Sequence, residues 1–393
     1  MVTDYTCYSC GSKGMRVFYE VKDVPVHSCL MMSTQQEAIE FPKGDIRLAF
    51  CPSCGFIANV AFDPNIQDYS PIYEDQQCFS PTFNAFAYNL ANRLIERYDL
   101  HDKDIVEIGC GKGDFLILLC ELGGNRGVGI DPTCMRERIH SKAAERVIFI
   151  QDYYSEKYAK YHGDFVCCRH TLEHIQLTAE FVSSVRRAIG DRTDTIVFFE
   201  VPDVIRVLRE LAFWDIYYEH CSYFSLGSLA RLFRLSGFDV IDLSKDFDDQ
   251  YLLIEARPAN NVSMSHLDKE DDLQELLGAV KYFAEHHKTK LAMWKHYFQE
   301  IMQNGKRIVV WGSGSKCVAF LTTLHIKNEV EFIVDINPYR HGKYIAGAGK
   351  RIMPPEFLKE YRPDVVVVMN SIYSSEIQQM LEDMGLMPDV VTV

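Results

Sequence analysis

From residue 104 onward the apolar positions of this chain fall into short runs separated by amphipathic stretches. DIVEIGC, GVGID, VIFIQD, DFVCCRH, TIVFFEV and LLIEAR alternate with segments of helical periodicity over about 155 residues. Apolar runs without polar alternation are strands buried on both faces, and strand–helix repetition needs crossover connections. The pattern therefore predicts a parallel sheet covered by helices on both sides. It restarts near residue 305 with KRIVVWGSGSKCVAFLTTL, EFIVDINP, PDVVVVMNS and PDVVTV, a second and smaller α/β unit that does not repeat the first in sequence. Between the two, RPANNVSMSHLDKEDD is polar, and 273–303 has helical periodicity with no Pro and a tolerable Gly278. Upstream, a segment rich in Pro and turn residues (63–82) leads into apolar positions at helical spacing from Phe83. Ahead of it, MRVFYEV and DIRLAFC are short β-like runs. The expected division is an N-terminal module at 1–62, an α/β domain with a helical lead-in at 63–258, a helical linker at 259–304 and a C-terminal α/β domain at 305–393.

With 393 residues the chain exceeds one ordinary core, which agrees with several domains. No apolar run approaches the roughly 20 residues that span a bilayer. The start, MVTDYTCYSC, has neither a basic patch nor an apolar signal core. These features predict a cytoplasmic protein without a membrane partner. The formal charge of −14 opposes nucleic-acid binding, which needs Lys and Arg to replace phosphate counterions. Most of the thirteen cysteines sit singly in apolar settings (Cys110, Cys120, Cys167, Cys168, Cys317), as reduced core thiols do.

Four cysteines are different. Cys7/Cys10 and Cys51/Cys54 form two Cys-x-x-Cys pairs, each in or beside a Gly/Ser turn that can aim both sulfurs at one point. That is the local geometry a tetrahedral Zn²⁺ requires, whereas a redox motif needs one pair beside a strand–helix unit. Unrelated buried thiols would not share one spacing twice. Four thiolates close the coordination sphere, so the expected Zn²⁺ is structural. It would staple a segment too small to hold its own core.

The sharpest chemical motif is VEIGCGKGDFL at 106–116. A buried strand ends at a turn through Gly109, Gly111 and Gly113, and a helix begins near Asp114. Glycines allow positive φ and close ligand approach, and the helix start offers free N–H groups. The next strand ends at Asp131, about 20 residues on, where a carboxylate can hold ribose hydroxyls. A third strand ends at Asp152, level with an adenine ring. Ligands of open α/β sheets bind at these carboxyl ends. A nicotinamide dinucleotide would use the same parts.

The acidic strand in EIGCGKG, with Glu107, and the later HTLEHI resemble motif I and its sequel in class I S-adenosylmethionine methyltransferases. The resemblance implies that Glu107, Gly109 and Gly111 border the methionine portion of S-adenosylmethionine, that Asp131 holds the ribose and that Asp152 meets the adenine. The order of parts narrows the resemblance. A four-cysteine module, this core and a second α/β unit opening VVVWGSGSK resemble the sugar C-methyltransferases, which methylate a nucleotide-linked keto-deoxysugar beside its ketone. YYEHCSYFS at 217–225 matches that family most specifically, and VDINPYRHGKYIAGAG with PDVVVVMNS resembles its closing domain. The resemblance implies Tyr217, Glu219 and His220 at the sugar end of the cleft, and His174 near the reacting centre. A histidine titrates near neutrality and can accept the proton α to a ketone. Glu219 would hold its tautomer or stabilise the imidazolium, and Tyr217 would donate to the enolate oxygen. Tyr69, Tyr73, Gln76 and Gln77 lie in the segment that in the family folds over the cofactor.

The chain departs from the family in three places. KDFDDQYLLIEARP puts Asp248, Asp249 and Gln250 where the family has a His-Gly-Gly stretch. Asp75 replaces an aromatic, and His170 stands where an amide is usual. The first departure bears on the substrate more than on methyl transfer, so another small molecule methylated at carbon, oxygen or nitrogen stays open. Two further readings are a nucleic-acid methyltransferase, which the acidic balance opposes, and a non-catalytic sugar-nucleotide binder using the GSGSK loop as a diphosphate cradle.

Overall fold

The computed structural model describes residues 4–259 and 265–393. Residues 260–264, and with them the beginning of the expected linker, lie outside the described residues, as do the first three positions of the chain.

Four antiparallel strands, β1 (Tyr5–Thr6), β2 (Lys13–Pro25), β3 (Lys43–Phe50) and β4 (Ile57–Asn59), form the N-terminal sheet. Two irregularities in the β2–β3 register bend the long ribbon. The sheet is completed from far along the chain, because Ser222–Tyr223 of the YYEHCSYFS segment pairs antiparallel with β4. A short module with one polar face buries too little by itself and takes a strand from its neighbour.

The central sheet contains β5 (Asp104–Ile108), β6 (Arg126–Ile130), β7 (Val147–Ile150), β8 (Phe165–Arg169) and β9 (Ile196–Pro202). Beyond them come β10, the Ser222–Tyr223 strand already met, and then β11 (Phe238–Asp246) and β12 (Tyr251–Pro258). Its order is β11-β12-β9-β8-β5-β6-β7, parallel from β9 to β7. The run LLIEAR enters antiparallel, which differs from an all-parallel expectation. The reason is local: β11 and β12 are joined by a tight turn at 247–250, and a hairpin reverses direction. Strand order reverses at β5, whose neighbours are β6 and β8, so a crevice opens beyond its carboxyl end. The C-terminal unit is a parallel sheet of β13 (Ile308–Trp311), β14 (Phe332–Val334), β15 (Arg351–Met353), β16 (Val365–Val368) and β17 (Asp389–Thr392), ordered β15-β14-β13-β16-β17.

The helix Leu273–Gln303, placed in the expected linker, packs along its length. Its Leu276, Phe283, Trp294 and Phe298 share one cluster with Tyr19 and Leu48 of the N-terminal sheet and with Val310 and Phe320 of the C-terminal unit. Each such side chain contributes about 1.5–3 kcal/mol by burial. The helix is thus a spine that holds the outer two parts together rather than a tether. Among the described residues no helix is long and apolar enough to cross a membrane.

Candidate active-site cleft

A cleft of about 860 Å³ lies where the carboxyl ends of the central strands face those of the C-terminal sheet. Gly109, Gly111 and Asp131 line it from one side, and Gly312, Gly314, Lys316 and Asn337 from the other.

At the first loop, φ is +71° at Gly109 and +53° at Gly111, and the helix Asp114–Gly123 follows. A Cβ on Gly109 would stand 1.9 Å from the Thr171 hydroxyl, whereas one on Gly111 would meet nothing within 4 Å. Only the second glycine therefore leaves room for a ligand. The Asp131 carboxylate accepts from the Gly111 N–H at 2.9 Å and from the Thr133 N–H and hydroxyl at 2.6 and 2.7 Å. That fixes its direction and leaves lone pairs for a hydroxyl ligand. Glu107 is buried, and burial pushes its carboxyl up to about 8 although Arg169 opposes the shift. Its Oε2 has no hydrogen bond among the described residues, and the residue lines the cleft. Asp152 does not line it. Its carboxylate takes the Lys157 ammonium and the Tyr158 hydroxyl, Lys157 first, and is held at about 2. Its neighbour Tyr153 lines the cleft instead.

The segment 64–80 roofs this end. Tyr73 is buried against the rings of Tyr69 and His27, and Gln76 donates to the Asp114 carboxylate at 2.9 Å. Asp75 faces the cleft. Glu74 ties the roof to both walls, accepting from Arg138 at 2.6 Å and from Asn337 at 2.9 Å. Gln77 accepts from the Tyr373 hydroxyl of the C-terminal unit at 3.1 Å.

Deeper in, the Tyr217 hydroxyl meets His220 Nε2 at 2.9 Å and the Tyr69 hydroxyl meets His174 Nδ1 at 2.8 Å. The two imidazoles stand 4.8 Å apart, nearly perpendicular. His220 is held well below its ordinary value by burial, with His174, His170 and Lys316 adding to the shift. Two histidines 46 positions apart are thus brought together, each with its own tyrosine.

Glu219 corrects the expectation that it holds the tautomer of His220. Its carboxylate is fully buried and turned away, accepting from His27 Nδ1 at 3.0 Å and from the Ser28 N–H at 2.9 Å. Consecutive residues point to different sides of the loop, so the acid beside His220 in sequence is not beside it in space. Glu219 and Asp152 are absent from the residues lining the cleft, whereas Tyr217, His220 and His174 are present. Sequence reasoning missed His27, whose only signal was a lone histidine in VPVHSC, and Glu173 inside HTLEHI.

His170 has φ +49°, and its Nε2 lies 2.6 Å from Glu200. Burial opposes its protonation, but Glu200 and Glu173 outweigh it and raise the group to about 9. Arg169 grips Glu200 with two bonds of 2.9 and 3.2 Å. Burial opposes ionisation of Glu200, and Arg169 and His170 reverse that, holding it at about 2.

The second loop repeats the first in its chemistry. Gly312 has φ +102°, and Asp335 accepts from the Ser313 N–H at 2.7 Å and its hydroxyl at 2.6 Å, just before the helix Ser315–Leu324. Lys316 reaches Asp215 at 2.9 Å and Gln250 at 3.2 Å. Gln250 and Asn370 exchange amide hydrogen bonds of 3.0 and 2.9 Å across the two domains. Gln250 is presented by Phe247, Asp248 and Asp249, all with φ between +54° and +58°. A non-glycine residue there costs about 1–2 kcal/mol.

The four cysteine sulfurs lie within 4.8 Å of one another, with Cys7–Cys54 at 3.6 Å and Cys10–Cys51 at 3.7 Å. Thiolates about 2.3 Å from a tetrahedral ion stand about 3.8 Å apart, so the set fits Zn²⁺. The knuckle packs on the central domain, where Arg231 donates to the Cys54 carbonyl at 2.9 Å.

Residues 83–243 match a methyltransferase domain family, and residues 255–386 match a C-methyltransferase C-terminal domain. Over 303 residues the chain is 27% identical to the C-methyltransferase NovU of Streptomyces niveus, covering 73% of this chain and 71% of the relative. Among solved structures, the N,N-8-amino-8-demethyl-D-riboflavin dimethyltransferase RosA of Streptomyces davawensis aligns with a TM-score of 0.37 and 19% identity, over 45% of this chain and 56% of that one. The magnesium protoporphyrin IX methyltransferase ChlM of Synechocystis PCC 6803 aligns at 0.36 and 16%, over 48% and 91%.

Proposed function

Since the chain is an S-adenosylmethionine-dependent methyltransferase of the C-methyltransferase family, we propose that it methylates carbon in a nucleotide-linked keto-deoxysugar, through an enolate formed by His220. The observation that carries this reading is the sharing of one cavity. His220, Tyr217 and His174 line the same cleft as the Gly109–Asp131 loop and the Gly312–Lys316 loop. The parts present fit S-adenosylmethionine: Glu107 offers an unpaired buried oxygen to its ammonium group, Gly111 leaves open space, Asp131 faces the ribose and Tyr73 closes the roof. Tyr153 rather than the side chain of Asp152 then borders the adenine. When bound, the cofactor supplies an electrophilic methyl group.

The protein must make the acceptor carbon nucleophilic. The bond from the α carbon to hydrogen breaks, the proton passes to His220, and the electron pair moves to the ketone oxygen. There the Tyr217 hydroxyl donates to the enolate. His174, oriented by Tyr69, borders the same carbon. The diphosphate of the nucleotide falls to the start of the helix Ser315–Leu324 and to Arg340, buried with its Nε unpaired. The closed two-domain cleft aligns the partners, which is most of what methyl transfer requires. Zn²⁺ on Cys7, Cys10, Cys51 and Cys54 is structural in this reading, and the enzyme works in the cytoplasm.

The test uses methyl-labelled S-adenosylmethionine with thymidine diphosphate-4-keto-6-deoxyglucose, and separately exchange of the α proton in D₂O without cofactor. Label in the sugar, with exchange that His220→Ala abolishes, is the expected result. Label in another molecule of a metabolite extract, with no α exchange, overturns it. A second reading, methyl transfer to another small molecule at carbon, oxygen or nitrogen, draws on Gln250. That side chain lies in the stretch where the sugar C-methyltransferases have His-Gly-Gly, and it is bonded to Asn370 across the cleft.

A further inference from the structure

Glu173 has no assigned part in the proton transfer, and its surroundings are unusual. It is 2% exposed, and neither carboxylate oxygen makes a hydrogen bond among the described residues. Its ion-pair neighbours there are histidines only, His170 Nδ1 at 3.6 Å and His220 Nε2 at 4.0 Å. A buried carboxylate without hydrogen bonds is costly at such a position, and a cation bound between it and the neighbouring imidazoles would offset that cost. One ligand atom from each of Glu173, His174 and His220 lies within 4.8 Å of the others, and all three residues line the cleft.

We propose that Glu173, His174 and His220 form a site for a divalent transition ion such as Zn²⁺, Co²⁺ or Ni²⁺, separate from the four cysteines, and that filling it inhibits the enzyme. Two imidazoles and one carboxylate are a donor set that binds such ions while leaving positions open to water. Ligand atoms about 2.1 Å from one ion stand about 3–3.5 Å apart, so the cluster closes with side-chain shifts of about 1 Å. The Tyr69 hydroxyl holds His174 by Nδ1 and so leaves Nε2 for the ion, the outer-shell arrangement typical of metal-bound histidine. At His220 the nitrogen nearest Glu173 is the one that meets Tyr217, so the ion displaces the Tyr217 hydroxyl. His170 is not one of the three: its Nδ1 stands 3.6 Å from Glu173 and its Nε2 2.6 Å from Glu200. Inhibition follows because the lone pair that would take the substrate proton is bound to the ion. That consequence rests on the base reading above, whereas the site itself does not.

The test is a cobalt titration of the full-length protein, purified with its cysteine site loaded with zinc. One further equivalent of Co²⁺ is expected, with visible d–d bands and no thiolate-to-cobalt charge transfer. Glu173→Gln and His174→Ala each weaken this binding at least tenfold without changing the zinc content, and Tyr217→Phe binds at least as tightly as wild type. No binding beyond the cysteine site, a thiolate charge-transfer band, or wild-type affinity in both Glu173→Gln and His174→Ala overturns the site. Cobalt that binds there while methyl transfer continues leaves the site standing and removes His220 as the base.

Discussion

Replacing Glu219 by glutamine separates a structural role from a catalytic one. Asp68 donates its N–H to His27 Nε2 at 2.8 Å, which makes that nitrogen the acceptor and places the imidazole proton on Nδ1. His27 therefore donates to Glu219 Oε1 at 3.0 Å, while the Ser28 N–H donates to Oε2 at 2.9 Å. A carboxylate accepts both. A glutamine has one carbonyl oxygen and one NH₂, so whichever way it is turned a donor faces a donor. Switching the tautomer of His27 would leave the Asp68 N–H unpaired. One charge-assisted bond is lost and one buried donor is left unsatisfied, a cost of about 3 kcal/mol after allowing for the easier burial of a neutral amide. For a protein of this size that lowers Tm by roughly 3–5 °C. Differential scanning calorimetry and urea unfolding read the loss. A double-mutant cycle with His27→Gln should return a coupling of at least about 1 kcal/mol. If Glu219→Gln melts with the wild type while kcat collapses, Glu219 works on the reaction and the reasoning fails.

Two further outcomes follow from the same geometry. Because the folded state holds Glu107 at about 8, it keeps a proton that the unfolded chain loses near its ordinary value of about 4.5. Stability of the cofactor-free enzyme should therefore fall as pH rises between those values, by on the order of 3–5 kcal/mol in total. Glu107→Gln should flatten that slope in urea unfolding measured from pH 5.5 to 8.5. Cys51→Ser should release about one equivalent of zinc, measured by elemental analysis. It should also raise amide exchange at Ser222 and Tyr223, because the strand they pair with is anchored by the cysteine knuckle.

What could be read without coordinates was short-range. The buried runs of β5, β6, β8 and β13, the glycine turn before Asp114 and the acidic strand end at Asp131 were all legible. Each depends on residues within a few positions of one another, whose spacing the covalent chain sets directly. The two Cys-x-x-Cys pairs were legible for the same reason, as two local bends whose four sulfurs come together. Folding supplied the partners across distance. Glu219 belongs to His27, 192 positions away, rather than to His220 next to it. Ser222–Tyr223 completes a sheet begun at residue 5, and the helix Leu273–Gln303 became a spine because two separate apolar faces were available to cover it. Gln250 found Asn370 across the cleft, while Asp152 turned to Lys157, only five residues on. Spacing along the chain limits which contacts are local, but it does not choose among distant ones. That choice goes to whichever pairing buries apolar surface and leaves no donor or acceptor unmatched, and it is made only when the whole chain has packed.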